Sequence, residues 1–277
     1  VNESAHLEAA VNAVLQSDFA GEIEIVIAVG PSRDGTRNVA DNLALQDKRI
    51  TVIENPSGRT PDGLNAALSY CRHEIIVRID GHSEIDRQYI SLAVQILQET
   101  NAVNVGGLMA AEGTTTFESA VATAMRSPIG VGSSRFHTGG EAGSVDTVYL
   151  GVFRKSALKE IGGYDSRFTR AQDWEMNYRL RKAGGVIWFD PRLKVTYRPR
   201  NSIRSLSRQY FEYGRWRRAV SRLHKGTSHW RYLAPPVNFA VNFLSILGAL
   251  LISPLLSIPV FVYLSAIAIS SFIIGKN

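Results

Sequence analysis

The stretch Glu74-Ile75-Ile76-Val77-Arg78-Ile79-Asp80-Gly81-His82-Ser83 sets an apolar run of strand length directly against a carboxylate, a glycine and an imidazole. A divalent cation bridging a diphosphate takes few protein ligands and fills its shell with phosphate oxygens and water, so a strand-end carboxylate followed two residues later by a second donor suits it. Asp80 supplies the hard oxygen. His82 is the softer partner and, as a ligand, favours Mn2+ over Mg2+. Taken alone, the same tripeptide is also an ordinary turn, with Asp80 capping it and His82 on the surface.

The elements that must position this turn alternate between strands and helices. A helical pattern opens the chain, with Leu7, Ala10, Val11, Val14 and Leu15 on one face. Residues 22–28 then run apolar as a buried strand, 30–35 are turn material, and 36–46 form a helix. A second strand spans 50–54, and a loop at 55–59 precedes a helix capped by Asp62 and carrying Leu64, Ala67 and Leu68. The third strand is 75–80. Such alternation indicates right-handed βαβ units and a largely parallel sheet. Ligands of such sheets sit outside the carboxyl ends of the strands, which brings the 30–34 turn, the 55–59 loop and Asp80-Gly81-His82 to one rim, the natural place for a nucleotide.

Further along, a helix is expected over 87–98, strands over 103–109 and 145–153, and mobile loops around a helix near 116–125. Short helices follow at 155–161 and 173–183, the latter stopped by Gly184-Gly185. On that last helix Arg179 and Arg181 read as a solvated face. With no Met at the start and the helical pattern beginning at once, the sequence reads as an excerpt of a longer chain.

At 277 residues and 45% hydrophobic composition the chain can bury a sizeable core. Its single cysteine, Cys71, excludes a disulfide framework and a multi-cysteine zinc site. The net charge of +6 is concentrated in one segment, where twelve Lys and Arg between Arg192 and Arg231 face a single acid, Glu212. From Tyr232 to residue 275 no charged residue occurs, enough for two bilayer crossings at roughly 20 residues each, 236–252 and 255–274, broken at Ser253-Pro254. The basic flank marks the cytoplasmic side, and two crossings return the terminus there, consistent with Lys276. A nucleic-acid partner for the basic segment is argued against by the adjacent apolar run.

Several motifs occur in a fixed order: the Asn2-Glu3 start, Ser32-Arg33-Asp34-Gly35-Thr36, Gly63-Leu64-Asn65-Ala66-Ala67-Leu68, Asp80-Gly81-His82, Gly151-Val152-Phe153-Arg154, Gly162-Gly163-Tyr164-Asp165 and Gln172-Asp173-Trp174-Glu175. In this order they resemble family-2 glycosyltransferases of the GT-A fold, nearest to the membrane-bound sugar transferases of succinoglycan biosynthesis. The likeness covers about residues 1–225. It implies an α/β domain over 1–198, with a mixed, mainly parallel sheet flanked by helices, a basic amphipathic interface segment over 199–234 and membrane helices over 235–277. It also implies inverting transfer of a sugar from a nucleoside diphosphate sugar to a lipid-linked or saccharide acceptor at the cell membrane, with a divalent cation, Mn2+ or Mg2+.

The resemblance places the metal motif on Asp80 and His82, the histidine standing where the family has a second acid. The acid that usually holds base and ribose falls at Val29, so nucleotide contacts are sought at Asp34, Arg59 or Asn65. The family's catalytic base falls on Asp173. An acceptor hydroxyl must lose its proton as it attacks, and a positioned carboxylate contributes roughly 10²–10⁴-fold. A helix N-terminus weakens such a base, and a partly buried site beside Trp174 offsets that. Without the resemblance, Asp173 reads as an N-cap with Glu175 solvated, and Trp174 as either a sugar platform or a core plug. Gln209, Arg215 and Trp216 resemble the Gln-x-x-Arg-Trp element that holds diphosphate and acceptor in processive synthases, with longer spacing. An amphipathic helix at the lipid boundary explains the same residues. A second functional reading keeps the fold and loses the catalysis, leaving a nucleotide-sugar-binding scaffold, with Val29 and His82 as its signs.

Overall fold

The computed structural model describes residues 1–132, 134–227 and 230–275, with the side chains of residues 230 and 231 left aside. Lys276 lies outside the described residues. The chain divides into two compact units, Val1–Trp216 and Arg217–Asn277.

The first unit opens with α1 (Leu7–Leu15), β1 (Ile25–Val29), α2 (Thr36–Gln46) and β2 (Ile50–Glu54). β1 and β2 pair in parallel, Ile25 opposite Ile50 and Val29 opposite Glu54. The apolar stripe of α1 closes over them, so that Leu7, Val11, Val29, Ala40, Leu43 and Ile50 share one core. α3 (Thr60–Tyr70) starts two residues before Asp62, with Pro61 in its first turn, where a missing N–H costs nothing.

Next come β3 (Ile75–Val77), β4 (Glu84–Ile85), α4 (Tyr89–Glu99) and β5 (Asn104–Ala111). They are followed by α5 (Thr116–Met125), α6 (Pro128–Val131), α7 (Arg135–Thr138), β6 (Gly143–Ser144) and β7 (Tyr149–Arg154). α8 (Lys155–Glu160), α9 (Gln172–Lys182), β8 (Ile187–Tyr197) and α10 (Ile203–Leu223) complete the order, α10 running across the division between the units. The second sheet has the order β3-β7-β5-β8-β4, with β6 also on β8.

Within this sheet only β5 and β8 are parallel, and the pairs β3–β7, β5–β7, β4–β8 and β6–β8 are antiparallel. Parallel pairing is therefore narrower than the strand-helix alternation suggests. Alternation reports that strands and helices take turns, not which strands become neighbours, and β7 reaches β5 after a long excursion rather than a single helical crossover. β8, absent from the sequence expectation, packs Ile187, Phe189, Leu193 and Val195 into the interior. It approaches β5 so closely that a Cβ on Gly107 would lie 1.9 Å from the Leu193 carbonyl oxygen, so only glycine fits.

In the second unit, Arg217 donates to the Tyr232 hydroxyl and lies over its ring, 4.1 Å from the centroid. A short 3-10 turn (Trp230–Leu233) leads into α11 (Ala234–Leu251), and a second one (Pro254–Ser257) into α12 (Ile258–Gly275). The spans Ala234–Leu251 and Pro254–Gly275 are long and apolar enough to cross a membrane. Ser245 donates its hydroxyl to the Leu256 carbonyl. Phe239, Phe243, Leu250, Phe261, Val262 and Ile269 are left exposed, a surface that suits hydrocarbon rather than water.

Candidate active site

β3 stops pairing at Val77, and the Arg78 amide makes one more bond across to the Gly151 carbonyl, 3.1 Å, before the chain leaves the sheet. The Arg78 side chain is only 4% exposed. Its Nε and Nη2 donate to Asp80 Oδ1 at 3.2 and 3.1 Å, and its Nη1 donates to Asp173 Oδ1. The two carboxylates, 95 residues from Arg78 in one case and two in the other, are each 29% exposed and so face solvent while gripping a buried cation. Burial acts against the Arg78 charge, and Asp173 and Asp80 outweigh it, so the guanidinium stays charged.

Asp173 sits in the first turn of α9, entered through Ala171 in a left-handed conformation with φ 59°. No side chain caps this helix; the Asp173 carboxylate goes to Arg78 instead. Desolvation pushes the Asp173 carboxyl above its ordinary range, Arg78 pulls it back, and the nearby negative charge of Asp80 adds to the rise. The net upward direction is what a proton acceptor needs.

Arg78 also lies over the Tyr164 ring, 5.9 Å from its centroid. Tyr164 is fixed in turn by Asn65 of α3, whose Nδ2 donates to the Tyr164 carbonyl at 2.7 Å while its Oδ1 accepts the Tyr164 amide at 2.8 Å. Asn65 thus behaves as a strand edge for the 163–165 loop. Arg59 reinforces the same junction, with Nε on Asp62 at 2.8 Å and Nη1 on the Ser166 carbonyl at 3.3 Å. Asp34 accepts from the amides and hydroxyls of Ser4 and Thr36, at 2.5 to 3.2 Å. The Thr36 hydroxyl and the Ser4 amide hold its carboxyl well below the usual range. Of the three residues sought for nucleotide contacts, each is engaged in ordering a loop.

Those bonds anchor Ser4, and Glu3 beside it reaches the Asp80-Gly81-His82 turn. Its Oε1 lies 3.1 Å from His82 Nδ1, its methylenes pack over Gly81, and its amide donates to Thr36 Oγ1 at 2.8 Å. Glu3 raises the His82 pKa, against desolvation and with a contribution from Asp80. Among the described residues no three His, Cys, Asp or Glu gather into a cage. A cation shared with a diphosphate does not need one. Both Arg78 bonds to Asp80 fall on Oδ1, and His82 is 45% exposed with Nδ1 3.1 Å from Glu3 Oε1.

The remaining residues lie around α10. Gln209 donates to the hydroxyls of Tyr197 and Tyr213, at 3.1 and 2.6 Å, and accepts from Arg200 at 2.9 Å. Tyr197 meets Tyr149 edge-on at 6.2 Å, and the Tyr149 hydroxyl is raised by burial and by Asp80. Trp216 donates to Glu212 at 3.1 Å and meets Phe168 at 6.1 Å, while Arg215 pairs with Glu212 at 3.5 Å. Among the described residues, no hydrogen bond joins Gln209, Arg215 or Trp216 to Asp80 or Asp173.

One expectation for α9 is overturned. Glu175 is fully buried and bidentate with Arg179, both contacts 2.7 Å, and Arg179 also donates to the Ile161 carbonyl at 2.6 Å. Arg181 pairs with Asp146 at 3.0 Å. α9 is packed on more than one side, with Met176, Asn177 and Leu180 buried beside Glu175, so this is no solvated face. Trp174 is half-buried and stacks on Tyr178 at 5.7 Å, which leaves it no core plug.

A mixed sheet flanked by helices, with an acidic turn at the exit of one strand and a second carboxylate opening a helix beside it, defines a GT-A-like transferase. The model for glycosyl transferase family 2 matches residues 1–162, and the chain belongs to that family. It is 33% identical over 253 residues to the succinoglycan biosynthesis protein ExoA of Rhizobium meliloti (strain 1021), covering 91% of this chain and 76% of the relative. It is 23% identical to the dolichyl N-acetyl-alpha-D-glucosaminyl phosphate 3-beta-D-2,3-diacetamido-2,3-dideoxy-beta-D-glucuronosyltransferase of Methanococcus voltae, over 98% and 84% of the two chains. Among solved structures it resembles the mannosyltransferase PcManGT of Pyrobaculum calidifontis, in complex with GDP-Man and Mn2+, with a TM-score of 0.63 at 17% identity, covering 96% of this chain and 72% of that one. The chain is a glycosyltransferase.

Proposed function

We propose that this enzyme transfers a sugar, with inversion, from a nucleoside diphosphate sugar to a lipid-linked or saccharide acceptor, working at the cytoplasmic face of the cell membrane. The observation that carries this reading is the convergence of Asp80 and Asp173 on one guanidinium, which sets a diphosphate-side acid beside an acceptor-side base. Asp80 and His82 would hold a divalent cation, Mn2+ or Mg2+, which when bound would supply positive charge toward the leaving diphosphate. Asp173 takes the proton of the attacking hydroxyl, its pKa raised by partial desolvation and by the charge of Asp80.

Asp34, Arg59 and Asn65 shape the nucleotide side by fixing the loops that border it. Gln209, Arg215 and Trp216 belong to the acceptor and membrane side. On this reading residues 1–198 are the transferase domain, 199–234 an interface segment with its arginines toward anionic headgroups, and 235–277 a membrane hairpin. The names of the two curated relatives, one from polysaccharide biosynthesis and one acting on a dolichyl-linked sugar, support an acceptor of that kind.

The test is transfer or hydrolysis of UDP-, GDP- and dTDP-sugars with Mn2+ or Mg2+ by wild type, Asp80→Asn and Asp173→Asn. Loss of turnover in both variants is expected. Donor binding without turnover in the wild type would favour the scaffold reading, and unchanged turnover in both variants would remove these residues from the mechanism.

A further inference from the structure

We infer that Arg78 is the positioning residue of this site, a single buried guanidinium that holds the donor-side Asp80 and the acceptor-side Asp173 in one fixed relation. The inference deepens the function proposed above and rests on it.

A fully buried arginine is rare unless paired, and here both available directions of the fork are used. Nε and Nη2 converge on Asp80 Oδ1, and Nη1 goes to Asp173 Oδ1. Arg78 itself is held from two further sides. Its amide is bonded to Gly151 at the end of the β3–β7 ladder, and its guanidinium lies over Tyr164, which is clamped in turn by Asn65. The path from sheet to strand end to α9 therefore passes through one planar group. A lysine ammonium keeps the charge and lacks the fork, so it can satisfy one carboxylate well but not both.

Two consequences separate positioning from mere packing. Without the guanidinium, Asp173 loses the partner that fixes its direction, and a misplacement of about 1 Å costs on the order of 10²-fold in rate. Meanwhile Asp80 loses a cation that competes for its oxygen, so Mn2+-assisted nucleotide binding is expected to be unchanged or tighter. A residue needed only for packing would weaken both together.

The experiment uses the full chain as wild type, Arg78→Met, Arg78→Lys, Asp173→Asn and the Arg78→Met/Asp173→Asn double variant. The readouts are kcat and KM for transfer, and calorimetric binding of UDP and GDP with Mn2+. The expected result is a fall of about 10²-fold in kcat for Arg78→Met, no loss of nucleotide binding, and partial recovery in Arg78→Lys. The double variant should be no slower than Asp173→Asn, because the two residues act as one unit. Multiplying losses in the double variant, or nucleotide binding that falls in step with kcat, would overturn the inference. Should Arg78→Met not fold, judged by circular dichroism, Arg78→Lys carries the same comparison with the buried charge kept. If Asp173→Asn transfers at the wild-type rate, the base assignment and this inference both fall. A slow Asp173→Asn beside a fast Arg78→Met sinks this inference alone.

Discussion

Arg179→Ala should be among the most destabilising single changes in α9 that leave its apolar residues untouched. The Glu175 side chain is 1% exposed and that of Arg179 21%, and their bidentate contact is the pair's shared charge compensation. Truncating Arg179 takes the bidentate cation away from a carboxylate in the interior, and breaking such a buried pair costs about 3–5 kcal/mol. Truncating from the other side is milder. In Glu175→Gln the arginine keeps its bond to the Ile161 carbonyl and its partial access to water, and a neutral amide replaces the carboxylate at nearly the same volume. A cost of about 1–3 kcal/mol is expected there. At about 2–4 °C per kcal/mol for a chain of this size, Arg179→Ala should lower the unfolding midpoint by roughly 6–20 °C. Thermal unfolding of the detergent-solubilised protein, followed by tryptophan fluorescence, gives the comparison. Equal midpoints for the two variants, or a smaller loss in Arg179→Ala than in Glu175→Gln, would refute the asymmetry argued from burial.

Other expectations follow from the same geometry. Because desolvation and Asp80 raise the Asp173 carboxyl, and a base works only when deprotonated, kcat/KM should climb with pH through a limb lying above the ordinary carboxylate value of about 4. A pH-rate profile with its acid limb at or below that value would contradict the burial argument. Gly163 has φ +71°, and a Cβ there would sit 2.6 Å from Asn65 Oδ1. Gly163→Ala therefore combines backbone strain of about 1–2 kcal/mol with a broken clamp, and an unchanged unfolding midpoint would count against the clamp. Leu264, exposed in the middle of α12, should tolerate phenylalanine and reject arginine. Arginine at such a depth costs about 2.5–3.5 kcal/mol of insertion on translocon scales, and full retention of Leu264→Arg in the carbonate-resistant membrane fraction would argue that α12 does not span.

The half of the fold built from β1, α2, β2 and α3 was readable because each element carries its own punctuation. Gly35 marks the start of α2 and the apolar runs match the observed strands, while α3 begins at Thr60, two residues before the Asp62 read as its cap. β8 was not readable in this way. Asp190-Pro191-Arg192 interrupts its alternation, and Asp190 is buried with Arg192 folded back on it at 2.7 Å, so a central strand looks locally like a turn. Its identity comes from β5, some eighty residues earlier in the chain, and pairing at that separation leaves no local mark.

The same limit explains which site residues were visible. Asp80 ends an apolar strand run, whereas Asp173 reads from its own surroundings as an N-cap and was identified as a base only through the family resemblance. Glu3 and Arg78 act through partners far away in sequence. Yet Arg78 did leave a trace, since Ile75-Ile76-Val77-Arg78-Ile79 places an arginine inside a run otherwise fit for burial. An arginine is almost never fully buried unless paired, so that run already demanded a carboxylate partner, and Asp80 alone, two residues away, could occupy only part of the fork. Val29 shows the reverse case. It is buried among Leu7, Ala40 and Leu43, so an acid there would be desolvated, while the bonds of Asp34 and Arg59 order loops instead. Charge in this site is placed where a partner can reach it, and on the function proposed above the base of the nucleotide would be recognised by what those loops present.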